Sequence, residues 1–140
     1  MKFSQILGIF VLTILPMTVF AAGGAINTIG LYFDDSGDTV CMANGLGEIQ
    51  TVYLIVKNPM TAGGIGGWQG TLYVDAGLAV FGAVLSGDAL NFGSGNDYII
   101  GLGTPLPWAQ SIVLAQFSVL ASSPGGMRFD RLEGDILTVA

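Results

Sequence analysis

Apolar and polar residues alternate along several short stretches of the chain, and Gly, Asn, Asp, Ser or Pro separates one stretch from the next. The clearest stretch is residues 51–57, where Val52, Leu54 and Val56 occupy every second position before an Asn-Pro turn signal. Successive side chains of a β-strand point to opposite faces, so these three share one face. The pattern predicts a strand with one buried side.

Two further segments, residues 68–75 and 113–119, alternate in the same way. Trp68 and Phe117 are their largest apolar side chains, and we expect both in the core. Weaker strand patterns cover residues 26–33, 78–85, 97–102, 126–132 and 135–139. The side chains predicted to point inward are Trp68, Leu72 and Val74 in the first segment, and Val113, Ala115, Phe117 and Val119 in the second.

These eight segments follow one another at the spacing of an all-β protein, and none has the period of an amphipathic helix. The spacing predicts an antiparallel β-sandwich of about eight strands, of jelly-roll type. We see no internal repeat and no linker. Residues 22–140 are therefore expected to form a single domain.

The amino end carries an export signal. Lys2 supplies a positive charge, residues 6–15 are an apolar run, and Val19 and Ala21 suit the −3 and −1 positions of a cleavage site. The run is shorter than the roughly 20 apolar residues that span a bilayer, so we interpret residues 1–21 as a cleaved signal peptide rather than an anchor. The mature chain is expected to be secreted, either extracellular or periplasmic, without a membrane span.

The composition of the chain excludes several classes of function. After cleavage, three basic and ten acidic residues remain, so the formal net charge is 3 − 10 = −7. So acidic a chain lacks the cations that nucleic-acid binding needs. It contains no His, which excludes Ser-His-Asp and Cys-His catalysis and imidazole metal sites. Glu48 and Glu133 could serve only a hydrolase that uses carboxylates alone, and both adjoin Gly in predicted turns. We expect no catalytic residues.

The stretch from Val52 to Val119 contains the order Tyr-x-Asp, Leu-x-Val, a Gly turn and an apolar strand centred on Phe. These four features lie, in that order, at residues 73–75, residues 78–80, Gly87 and residues 114–119. This half of the chain resembles bacterial cohesin-like and carbohydrate-binding-module sandwiches. The segment 30–34, Gly-Leu-Tyr-Phe-Asp, is also similar to the opening of short secreted bacterial proteins. The resemblance implies a β-sandwich with a binding role, and it implies no catalytic residue.

Asp34, Asp35 and Asp38 form the densest group of oxygen ligands. Calcium prefers carboxylates on a flexible loop, so these three are candidate calcium ligands, although their spacing is not that of an EF-hand. The alternative is a solvated turn in which Asp and Gly satisfy the backbone. No other cofactor is suggested.

Three aromatic residues are candidate binding residues. Trp108 follows two prolines in a predicted loop from Gly103 to Trp108, where it could contact a sugar ring or a protein partner, or instead close one end of the sandwich. Tyr53 and Tyr73 belong to the outward sets of their strands and would form an aromatic strip if those strands were neighbours.

Cys41, the single cysteine, is expected to be a partly buried small apolar residue; the alternative is an intermolecular disulfide. The leading hypothesis is a non-enzymatic module that binds another surface protein or itself, because so apolar a small domain must expose apolar surface. Polysaccharide binding is the second hypothesis, and a carboxylate-only hydrolase is the third.

Overall fold

The computed structural model describes residues 26–43 and 45–130. The predicted signal peptide, the predicted strand at 135–139 and Glu133 lie outside the described residues. Within them the chain forms eight β-strands, as follows: β1 Thr28–Tyr32, β2 Ile49–Lys57, β3 Ile65–Val74, β4 Leu78–Leu85, β5 Ala89–Asn91, β6 Asp97–Leu106, β7 Ser111–Ala121 and β8 Met127–Asp130.

The strands form two antiparallel four-stranded sheets. Sheet A has the order β1-β2-β7-β4, and sheet B has the order β5-β6-β3-β8. The consecutive strands β6 and β7 lie at the centre, β2 and β3 run along one side of them, and β4 and β5 run along the other. This wrapping of strand pairs across both sheets confirms the predicted β-sandwich and is typical of a jelly roll.

The core lies between the sheets and is built from the alternating positions that the sequence indicated. Phe117 has no exposed surface and Trp68 is 6% exposed, so both are core residues as predicted. The ring of Tyr98 stacks on Trp68 with centroids 5.9 Å apart and meets Phe117 edge-on at 5.7 Å. This aromatic group joins sheet B to sheet A.

One inward assignment was wrong. In β7 the partner of Leu54 is Ala115, and the partner of Ile55 is Val113, so Leu114 is an extra residue in a β-bulge. On the amino-terminal side of the bulge, the residues of β7 that were expected to point outward point inward, and the reverse. Ile112 and Leu114 are therefore buried in the core, whereas Val113 is only half-buried and lies outside it.

Strands β2, β3 and β7 are longer than predicted, and two further differences change the connections. The short strand β5, Ala89–Asn91, lies in a stretch rich in Gly, Asn and Asp where no strand was predicted. Strand β6 continues to Leu106, so Gly103–Leu106 is strand rather than loop. The connection from β6 to β7 is consequently only four residues long, Pro107 to Gln110.

Candidate functional site at the apolar tip

Trp108 lies in the short connection between β6 and β7, at the end of the sandwich where β7 begins. Its indole is 53% exposed, so it does not plug the core. The Nε1–H of the ring nevertheless donates a hydrogen bond of 2.9 Å to the carbonyl oxygen of Pro59. The ring is therefore held in one orientation while much of its surface faces solvent.

The loop that follows β2 supports this tryptophan. The backbone N–H of Asn58 donates to the carbonyl of Gln110 at 2.8 Å, and the N–H of Asn27 donates to the carbonyl of Asn58 at 3.0 Å. The N–H of Met60 donates to Oδ1 of Asn27 at 2.9 Å. These bonds link the loop after β2 to the residues before β1 and β7.

Two more apolar side chains stand on this linked backbone. Ile26 is 60% exposed and Met60 is 68% exposed. We call the group of Ile26, Met60 and Trp108 the apolar tip. Sequence patterns had indicated only Trp108, because Ile26 and Met60 reach the same end through pairing between distant segments. An apolar residue directly after the Asn-Pro signal was the one available hint for Met60.

The two tyrosine candidates do not form a strip. Tyr53 is on β2 in sheet A and Tyr73 is on β3 in sheet B, so their outward side chains lie on opposite faces of the sandwich. The register neighbour of Tyr53 is Tyr32 of β1, and the Lys57 ammonium lies 5.5 Å from the centroid of the Tyr32 ring. The Arg128 guanidinium lies 4.2 Å from the centroid of the Tyr73 ring. Each tyrosine thus belongs to a separate local cluster.

The loop from Asp34 to Thr39 folds over the outer face of sheet A. Gly37 is buried there with φ +75°, and a Cβ at this position would come within 2.9 Å of Cε of Lys57. Lys57 Nζ donates to the carbonyl of Gly37 at 2.6 Å and to Asp38 Oδ1 at 3.0 Å. Ile55 points away from the core, and this loop explains why it is nevertheless fully buried.

Within that loop the carboxylates accept hydrogen bonds from the chain itself. The backbone N–H groups of Asp38 and Thr39 donate to the two oxygens of Asp34 at 2.8 and 2.7 Å. Hydrogen bonds, chiefly from the Thr39 side chain and the Asp38 backbone, hold the pKa of Asp34 well below its usual range. The hydrogen bond from Lys57 lowers the pKa of Asp38. These oxygens brace a turn.

Asp35 is exposed, and its carboxylate is not grouped with the carboxylates of Asp34 and Asp38. Among residues 26–43 and 45–130, no three His, Cys, Asp or Glu side chains are grouped so that they could hold a metal ion. The hydrogen bonds that Asp34 and Asp38 accept are those that the solvated-turn interpretation expects, and the calcium site stays a prediction.

We expect Asp34→Asn to lower the melting temperature at neutral pH, because the amide has one acceptor oxygen and its NH2 group cannot accept the second N–H. The folded pKa of Asp34 is depressed, so its stabilisation is complete above the unfolded value of about 3.9 and is lost as pH falls through the folded pKa. The gap between the two melting curves should therefore close in acid. Thermal scans at several pH values check this, with Asp35→Asn as the control. EDTA should leave all the curves unchanged, and a chelator-dependent shift would show a bound cation.

A second exposed apolar surface lies on the outer face of sheet B and on the neighbouring edge strand. Leu90 of β5 and Ile99 of β6 point outward, and the Phe92 ring, 71% exposed, lies over Gly101. Phe81, the extra residue of a bulge in β4, is also exposed, but its strand belongs to sheet A. The sequence did not reveal this surface, because Phe92 lies in a stretch where no strand was predicted.

Cys41 also differs from expectation. It is exposed rather than partly buried.

No helix in the described part of the chain is long and apolar enough to cross a membrane. Comparison with known protein families, with curated proteins and with solved structures found no match.

Proposed function

We propose that this protein is a secreted, non-catalytic module that assembles with itself at the cell surface through the apolar tip. The observation that carries the proposal is Trp108, whose ring is half exposed and held by its hydrogen bond to Pro59. An aromatic ring that is already oriented loses little conformational entropy when a partner covers it. Trp is among the residues that contribute most to binding energy at interfaces.

Charge and composition agree with this role. The chain carries no charged residue from Tyr98 to Met127, a stretch that includes the whole Trp108 connection. The connection therefore brings no charged side chain of its own into a contact between two molecules that each carry a net charge of −7 after cleavage. The resemblance to cohesin-like and carbohydrate-binding-module sandwiches supports a binding role rather than catalysis.

Trp108→Ala should weaken self-association by about 2 kcal/mol or more, because it removes the largest exposed side chain of the tip. Size-exclusion chromatography and sedimentation at rising protein concentration measure this. The matched control is Phe92→Ala, which removes a similarly exposed aromatic ring from the outer face of sheet B. A loss of association with Phe92→Ala but not with Trp108→Ala would place the contact on sheet B and contradict the proposal.

Carbohydrate binding remains the alternative for the same residue, because an exposed indole can stack on a sugar ring. A glycan array distinguishes the two functions. A glycan signal that disappears in Trp108→Ala, in a chain that stays monomeric at every concentration, would favour the carbohydrate module.

A further inference from the structure

An apolar groove opens at the other end of the sandwich from Trp108. Its volume is about 330 Å³, and it lies between the sheets where β7 ends and β8 begins. Its floor is apolar, and exposed Val40, Met42 and Leu46 stand along its lining. The floor residues are Leu31, Phe33, Val52, Leu78, Val119 and Met127.

The chemistry of the lining restricts the occupant. None of the described residues that line the groove is charged, so these residues offer no counter-ion to a charged ligand. Cys41, Met42 and Met127 supply sulfur atoms, which make favourable contacts with aromatic rings. A cavity of about 150 Å³ holds a benzene molecule, so this groove has room for a ring system of indole size. A neutral apolar group fits this lining, and an aromatic ring gains the sulfur contacts in addition.

The chain itself presents such a group at the opposite end. Strand β7 runs from Ser111, beside the Trp108 connection, to Ala121, which lines the groove. Its 11 residues, at roughly 3.3 Å each, separate the two sites by the length of the sandwich. The Trp108 ring therefore cannot reach the groove of its own molecule. It can reach the groove of a second copy that is stacked end to end.

We propose that the groove receives the Trp108 ring of the next copy, so that molecules join head to tail. The inference rests on the proposed function and adds the receiving site and the geometry. A surface group that fits a pocket elsewhere on the same molecule makes a heterologous contact, which extends into a chain of subunits unless it closes into a ring. Because both copies are acidic, added salt screens the repulsion between them and strengthens the assembly.

The test blocks each end separately. Ala121→Trp fills the groove from the end of β7, and Gly45→Trp fills it from the segment before β2, where the nearest atoms to an added Cβ belong to the side chains of Met42 and Gln50; Ala83→Trp on exposed β4 is the control outside the groove. We expect both groove variants to weaken association at least tenfold and the control to change it less than twofold. Circular dichroism establishes whether each variant is folded. If one groove variant does not fold, the other still tests the proposal.

Mixing completes the test. Trp108→Ala keeps an open groove, and Ala121→Trp keeps a free Trp108, so each alone should be monomeric, whereas an equimolar mixture should give a dimer that grows no further. A mixture that stays monomeric overturns the head-to-tail assignment. A second outcome also overturns it: both groove variants assemble as strongly as the wild type, while Trp108→Ala is monomeric. In that case Trp108 still mediates self-association, so the proposed function survives.

Discussion

Replacing Phe117 with Ala should lower the free energy of unfolding by about 3–5 kcal/mol, through lost transfer energy and a residual cavity. Phe117 has no exposed surface, and its register partners on the two sides are Val52 and Ala83. The Tyr98 ring of sheet B rests edge-on against it. Neighbours held in two sheets cannot collapse far into the space that the ring leaves. Urea denaturation measures the loss.

The control for this change is Phe92→Ala, which removes an exposed ring and should alter stability by no more than about 0.5 kcal/mol. A loss below about 1 kcal/mol for Phe117→Ala would contradict the assignment of the faces of β7, because an outward phenylalanine contributes little to folding. The slopes of the two denaturation curves should match, since neither change alters how much surface unfolding exposes.

Gly70→Ala should cost about 2–3 kcal/mol, by overpacking the boundary between β3 and β8. Gly70 is buried in β3, and a Cβ there would collide with the Phe129 ring and lie 2.6 Å from the carbonyl oxygen of Asp130. The Phe129 ring in turn meets Trp68 at 5.8 Å. The added methyl group must therefore move β8 or displace this ring from the core. Denaturation and hydrogen exchange of the β8 amides report both effects.

Gly66→Ala is the matched control, because it lies in the same strand and a Cβ there meets no atom within 4 Å. Its free energy of unfolding should stay within about 0.5 kcal/mol of the wild type, or rise slightly because Ala restricts the unfolded chain. Equal losses for the two variants would show that the cost arises from glycine's backbone freedom rather than from the close approach of β8.

Much of the fold could be predicted because a strand's alternation is a local property. Val52, Leu54 and Val56 point inward as their spacing indicated, and so do Trp68 and Phe117. The error at Val113 has a physical cause. A β-bulge adds a residue to one strand of a pair, and it exists only in relation to the partner strand, here at Leu54 and Ile55. No pattern within β7 alone marks where its faces exchange.

The candidate site was predictable only in part, for the same reason. Trp108 was identified because two local features, its ring and the two prolines before it, are close together in the sequence. Ile26 and Met60 join it through hydrogen bonds between segments that are far apart in the chain. Tyr53 and Tyr73 were considered as a pair because alternation places both on the outward side of their strands. Their strands belong to different sheets, and this separates them.

What the sequence determined by itself is the class of chain: all-β, acidic and without histidine, with most strands in place, because composition and period-two alternation need no knowledge of partners. The tertiary structure alone decided which strands are neighbours, and every composite feature follows from that. It folded the aspartate loop over Ile55, divided the tyrosines between two faces, and placed the apolar tip and the apolar groove at opposite ends. Such features depend on contacts between distant residues, and those contacts form only when the two sheets pack together.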